Sequence, residues 1–254
     1  MKILSWDVGI YNLSYCILEK NETNGKINII GWDVLNLVDN DKMKKNKTEL
    51  FENIPIKLQE ISQLLNVDYV VIENQPSLKN PQMKSIQMIL YSYFIILGKA
   101  VNFGEFKNIT NIDFCSASNK LKVYDGPKIV FQEKVKKPPK LKKGEVAPVP
   151  EPIVPEPIVP EPIVQENIIK DEEGDTIVNT DVVEVSKKKP TLKYAEKKKL
   201  AIAHAQYYVD NNFTTYKDFF SSHKKKDDLS DSLLQGLYYI KVGKPSFPLP
   251  PHPF

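Results

Sequence analysis

Arginine is missing from this sequence: all 35 basic residues among the 254 are lysine, a bias that points to an AT-rich coding genome and says nothing of fold. Cysteine occurs only twice, at Cys16 and Cys115, inside apolar runs and without metal-ligand spacing. A disulfide scaffold and a zinc site are thereby excluded, and reduced thiols in an intracellular compartment are expected. The ten glycines are not clustered, so no Gly-rich loop is available to cradle a nucleotide's phosphates. Long apolar runs are lacking too. The longest, Met88 to Leu97, is about half of the ~20 residues that cross a bilayer. Met1 and Lys2 lead directly into the strand-like ILSWDVG rather than into a basic-then-apolar leader. The expectation is a soluble, unprocessed intracellular protein.

What is present suffices for a globular core: 41% hydrophobic residues, 10% aromatic and 26% charged. One region departs from this. Residues 132–190 hold 10 of the 19 prolines, including PEPIV three times in succession from Pro150 to Val164, followed by the acidic DEEGDTIVNTDVVEV. Such a tract favours an extended, polyproline-like backbone and has too little apolar surface to offset its ordering entropy. It reads as a disordered insertion that divides one domain into 1–131 and 191–243, with a Pro-rich tail at 244–254. The insertion carries 10 Lys against 12 acids. The rest therefore has 25 Lys against 20 acids, or +5, compared with +3 for the whole chain.

Within the folded part, KILSWDV (2–8), NLSYCILEK (12–20) and INIIGWDVLNL (27–37) read as a three-stranded antiparallel meander. Leu50, Ile54, Leu58, Ile61 and Leu65 recur at helical steps over 48–65, with Pro55 inside the run. The strand DYVVIE (68–73) has the continuous apolar character of one buried on both faces. A helix over 81–97 opens on Pro81 and is apolar nearly all round. A strand near 109–116, a helix over 192–212 and a final helix over 227–243 complete the order βββ-α-β-α-β-α-α, an α/β layer on a mixed sheet.

Three elements far apart in sequence each end in acids. Asp7 closes the first strand, Glu73 closes the buried strand, and Asp228 with Asp231 opens the last helix. Each has an ordinary explanation alone: a turn, a buried acid paired with lysine, a helix cap. Together they point to chemistry. Residues three apart on a helix share a face, so Asp228 and Asp231 repel each other unless something positive lies between them. The N-terminal helix dipole offsets this by only ~0.3–1 kcal/mol each. An all-oxygen cage fits Mg²⁺ or Mn²⁺, not zinc.

The tracts WDVGIYNLSY, VVIENQPSLKN and KKDDLSDSLL resemble the three acidic motifs of the RuvC-like Holliday-junction resolvases, within the ribonuclease H-like superfamily. IENQPSLKN and KKDDLSD are most similar to the branch found in poxviruses and other large DNA viruses. The resemblance covers 1–131 and 191–242. It implies a five-stranded mixed sheet flanked by helices, a homodimer, two Mg²⁺ per active site and symmetric nicking of four-way DNA junctions. It assigns metal binding to Asp7, Glu73, Asp228 and Asp231, with Asp227 as the competing register. It assigns Lys122 and one of Lys197, Lys198 or Lys199, taken as Lys198, to the scissile phosphate. A viral origin would place the protein in the host cytoplasm or a virus factory.

Two departures stand out. Pro76 occupies the place where bacterial relatives carry a stacking aromatic, leaving Tyr11 and Tyr124 as substitutes, and the insertion falls between the two lysines. The apolar girth of helix 81–97 exceeds what one sheet can bury, which suggests a two-fold partner there. PEPIV would suit an extended-segment partner. A ribonuclease H-type enzyme on RNA–DNA hybrids and a non-catalytic junction-binding or scaffold protein are the alternatives. An actin-like ATPase is disfavoured by the scarcity of glycine.

Overall fold

A computed structural model describes residues 1–78, 80–100, 109–129 and 194–242. The described residues fall within a unit formed by 1–129 and 192–254. The insertion expected to be disordered at 132–190 and the Pro-rich tail at 244–254 lie outside the described residues.

Five strands form one sheet in the order β3-β2-β1-β4-β5. They are β1 (Lys2–Val8), β2 (Asn12–Lys20), β3 (Ile27–Asn36), β4 (Tyr69–Glu73) and β5 (Asn111–Cys115). β1, β2 and β3 pair antiparallel, whereas β1–β4 and β4–β5 are parallel. The meander and the mixed sheet expected from sequence are thus present.

Alternation fixes what each face presents. Leu4, Trp6 and Val8 of β1, Leu13 and Ile17 of β2, and Val70 and Ile72 of β4 pack into one apolar cluster. Successive strand residues point to opposite faces, so Ile3, Ser5 and Asp7, with Val71 and Glu73, belong to the other face. Trp6 pairs with Ile72 across the parallel ladder. One step further on, Asp7 and Glu73 therefore stand side by side where both strands end.

The first face is covered by α1 (Lys47–Gln59) and α2 (Pro81–Ile95). Asn46 caps α1 by accepting from the Glu49 amide, and Leu50, Ile54 and Leu58 are buried at helical spacing. Pro55 lies within the helix without ending it. α1 ends instead at Gln59, and a 3₁₀ turn at Ser62–Leu65 replaces the expected last turns. Asn80 caps α2 by accepting from the Met83 amide, with Pro81 at its first position. The helix then loosens into a π turn, Ile96–Ala100. Gly98 is needed there because a Cβ would collide with the Ile109 side chain.

The second face is covered by α3 (Tyr194–Asn211) and α5 (Lys226–Val242). Gly236 lets α5 come down onto the sheet, since a Cβ there would meet Leu18 at 2.9 Å and Ser5 at 3.2 Å. A short α4 (Lys217–Ser222) had no periodic signal in the sequence. It is held by Phe220 stacked on Trp32, with centroids 5.3 Å apart and planes 12° apart. Among the described residues no helix is long and apolar enough to cross a membrane. Both cysteines are free and buried, and burial pushes the Cys16 thiol well above its usual range.

Candidate active site

α5 reaches the strand ends through a buried polar clamp. The Gln235 amide donates to the Trp6 carbonyl (3.0 Å) and the Ser5 hydroxyl (3.1 Å), with Val71 O at 3.4 Å. Ser232 Oγ lies 2.8 Å from Ser14 Oγ. Gln235 is one helical turn beyond Asp231, so this clamp sets Asp231 against the ends of β1 and β4.

Asp7, Glu73 and Asp231 converge on one ammonium group. Lys120 Nζ lies 3.2 Å from Asp7 Oδ1, 3.1 Å from Glu73 Oε1 and 2.6 Å from Asp231 Oδ2. Lys120 is 8% exposed and rides on a 3₁₀ turn, Lys120–Val123, that follows β5. Asp228 lines the same cavity, together with Gln75, Met83, Tyr194, Lys197 and Lys198, in a volume of about 610 Å³.

The electrostatics are those of an acid cluster short of positive charge. Burial raises the Asp7 carboxyl well above its usual range; Lys120 pulls it down, but Glu73 and Asp231 add to the rise. Burial also raises Asp231. Burial and its neighbour Asp227 raise Asp228. Burial alone would lower Lys120, yet the three carboxylates outweigh it and hold the ammonium charged. A like-charge group in low dielectric is stabilised best by a compact cation. The ammonium marks where positive charge is required.

The donor set tests well against a divalent ion. Four carboxylates without His or Cys make an all-oxygen site of the kind Mg²⁺ or Mn²⁺ prefers. Among the described residues no group of three or more His, Cys, Asp or Glu side chains is already disposed to hold an ion. Lys120 stands at the centre instead, and it would have to swing aside.

The two lysines expected from sequence fall differently. Lys122 is exposed and donates to Asn119 Oδ1 at 2.9 Å, away from the acids. Lys120, two residues earlier in the same SNKLKVY tract, is the one among them. A 3₁₀ turn sends positions two apart in different directions, which the sequence alone did not resolve. Lys198 lines the cavity but is bonded to Asp227 Oδ2 at 2.6 Å. That bond lowers Asp227 against the upward effect of burial and raises Lys198. Asp227 and Asp228 are therefore separated in place: Asp227 is bonded to Lys198, whereas Asp228, with the Lys225 ammonium at 3.9 Å, lines the cavity. Tyr124 is stacked on His204 at 3.9 Å with planes 1° apart, and Tyr11, 37% exposed, does not line the cavity.

No protein-family model matches the sequence. An uncharacterised protein of Acanthamoeba polyphaga mimivirus is 31% identical over 213 residues, covering 80% of this chain. The chain spans 37% of that relative's length. Among solved structures, the yeast mitochondrial Holliday junction resolvase is similar at 15% identity and TM-score 0.48, over 94% of this chain and 78% of that one. A fowlpox virus resolvase bound to Holliday junction DNA is similar at 15% identity and TM-score 0.46, over 94% and 97%. Thermus thermophilus RuvC is similar at 10% identity and TM-score 0.37, over 49% and 71%. On its own topology, with an antiparallel meander continued by two parallel strands, helices on both faces and acids at the ends of β1, β4 and the start of α5, the chain has the ribonuclease H-like fold.

Proposed function

We propose that this protein is a divalent-cation-dependent endonuclease that nicks branched DNA, with the four-way junction as its substrate and symmetric cleavage by two copies as its outcome. One observation carries the reading: Asp7, Glu73 and Asp231, from β1, β4 and α5, meet within 3.2 Å of a single ammonium nitrogen in a cavity that Asp228 also lines. A surface built only to bind phosphate would not place buried carboxylates at its centre, which argues against a non-catalytic scaffold.

Asp7, Glu73, Asp228 and Asp231 would hold the Mg²⁺, one ion or two, with Mn²⁺ as a substitute. When bound, the metal supplies a water of lowered pKa and neutralises charge on the phosphate. The protein's own part is positional. The Gln235 clamp fixes the helix acids against the strand acids, and Lys120 must leave Asp7, Glu73 and Asp231 before they can ligate. Lys197 and Lys198 at the rim would contact DNA phosphates without reading bases, making binding salt-dependent.

The groove between α1 and α2 supports a dimer. It is lined by Pro55, Met88, Ile89, Tyr93, Ile96 and Leu97 among others, with a volume of about 460 Å³. Met88 and Ile96 are 40% and 53% exposed. A second copy pairing there would give two sites for two strands of like sequence.

The test is incubation of the full chain with synthetic four-way junctions, linear duplexes and RNA–DNA hybrids, with and without Mg²⁺. Paired nicks in the junction only, and only with Mg²⁺, are expected. Preferential cutting of the hybrid's RNA strand would transfer the site to ribonuclease H chemistry.

A further inference from the structure

Glu73 is gripped by more than Lys120. Its second oxygen, Oε2, accepts from the Gln75 side-chain amide at 2.7 Å, while Oε1 faces Lys120 at 3.1 Å. Residues two apart on an extended backbone share a face, which is why Gln75 can reach back to Glu73. Gln75 is itself held in place. Its backbone N–H donates to Gln87 Oε1 at 2.7 Å, and Asn74 N–H continues the ladder to the Cys115 carbonyl at 2.8 Å. Gln87 is fully buried on α2, and Lys84 Nζ also donates to its Oε1 at 3.2 Å. Its own amide nitrogen is buried without a partner. A buried orphan donor is costly, and the acceptor end of the same side chain is spent on Gln75. The order along this relay is α2, Gln87, Gln75, Glu73.

We propose that Gln75 is a positioning residue that makes Glu73 a one-oxygen donor to the cation and thereby favours Mg²⁺ over Ca²⁺. The inference rests on the metal-dependent reading above and concerns how that site selects its ion. With Oε2 engaged by the amide, only Oε1 is turned toward the centre of the cluster. Mg²⁺ requires near-octahedral single-oxygen ligation, whereas Ca²⁺ accepts six to eight oxygens and takes carboxylates through both. Freeing Oε2 gives Glu73 the two-oxygen grip that suits Ca²⁺ and loosens the geometry that suits Mg²⁺. Partners that orient a ligating side chain typically change metal affinity by about 10- to 100-fold when removed.

The experiment titrates the DNA-free full chain with Mg²⁺ alone and Ca²⁺ alone. It reads apparent affinity from the ligand-dependent rise in melting temperature, for the wild type, Gln75→Met, Gln75→Asn and Glu73→Gln. Met keeps the volume without the donor, and Asn keeps the amide on a stem too short to reach Oε2. Should one of them not fold, the other decides. The proposal expects the Mg²⁺:Ca²⁺ affinity ratio to fall by about 10-fold or more in the Gln75 variants. A ratio within about two-fold of wild type overturns it, whether both ions weaken equally or neither does, and leaves the nuclease reading standing. Unchanged Mg²⁺ binding in Glu73→Gln would instead remove the metal site on which both depend.

Discussion

The two faces of the central sheet are packed by different rules. Toward α1 and α2, β1 and β4 present Leu4, Trp6, Val8, Val70 and Ile72, all buried among side chains such as Leu50, Ile54 and Phe94. Toward α5, the same two strands present Ser5, Asp7 and Glu73, met by Gln235, Asp231 and Lys120. One face holds the fold together by apolar burial. The other is apolar where β2 and β3 present Cys16, Leu18, Ile29 and Trp32 to α3 and α5, but at the ends of β1 and β4 it holds acids that repel one another. A single period-two alternation produces both, so at these two strand ends a residue's parity decides whether it serves stability or chemistry.

The sharpest break in that contrast is Asp7→Asn or Glu73→Gln. Nicking should fall by at least about 100-fold, the scale of losing one charge-stabilising group in an active site. Junction affinity in a filter-binding or gel-shift assay should be unchanged or higher, because negative charge has been removed beside the DNA. Loss of folding in either variant would assign these acids to the stability side.

Phe94→Ala is the converse. Phe94 is fully buried on the opposite face, and its removal should lower unfolding free energy by about 3–5 kcal/mol by denaturant titration. The specific activity of the molecules that stay folded should hold.

Gln235→Leu tests the hinge between the two. Leaving the Trp6 carbonyl and Ser5 hydroxyl without their donor should lower stability by about 1–3 kcal/mol. Nicking should fall further than that loss explains, since Asp231 is no longer registered against β1.

pH sharpens the comparison more gently. The Asp7 carboxyl is raised above its usual value of 3.8, so between that value and its raised one the folded, metal-free protein binds more protons than the unfolded chain. Stability from this group is present at low pH and lost as pH rises through the raised value. At neutral pH without metal, Asp7→Asn should therefore melt no lower than wild type. Any advantage should shrink as the solution is acidified toward the ordinary carboxylate range.

The smallest effect belongs to the rim. Lys197→Ala should weaken junction binding across all sequences and reduce the slope of log affinity against log salt by about 1.

Much of this was legible beforehand. The strand runs around Asp7 and Glu73 and the acid spacing at the start of α5 gave the meander, the buried strand and three of the elements that meet at the site. Alternation and helical period are strong signals over such lengths. Helix ends were less legible. Pro55 lies inside α1, yet Ile54 and Leu58 on either side bury deeply enough to carry the helix past it, and the apolar residues beyond Gln59, Leu64 and Leu65, bury from a 3₁₀ turn instead. α4 was missed because its hold on the fold is the contact of Phe219 and Phe220 with Trp32, which is tertiary and leaves no period. That Lys120 and not Lys122 stands among the acids has a related cause. Lys120 and Lys122 have the same composition around them, and only the path of the turn decides which one enters the acid cluster. Gln75, Gln87 and Gln235 carried no signal, since a glutamine's role lies in the partner it reaches.

The central claim is that Asp7, Glu73 and Asp231, with Asp228 beside them, exist to grip divalent ions. Its most direct measurement is anomalous diffraction from crystals of the full chain grown with Mn²⁺. A manganese peak between Asp7 and Glu73 is expected, with Lys120 withdrawn from the position it holds among the acids. Crystals of a Mn²⁺-active preparation that show Lys120 still in place and no peak at these carboxylates would contradict it.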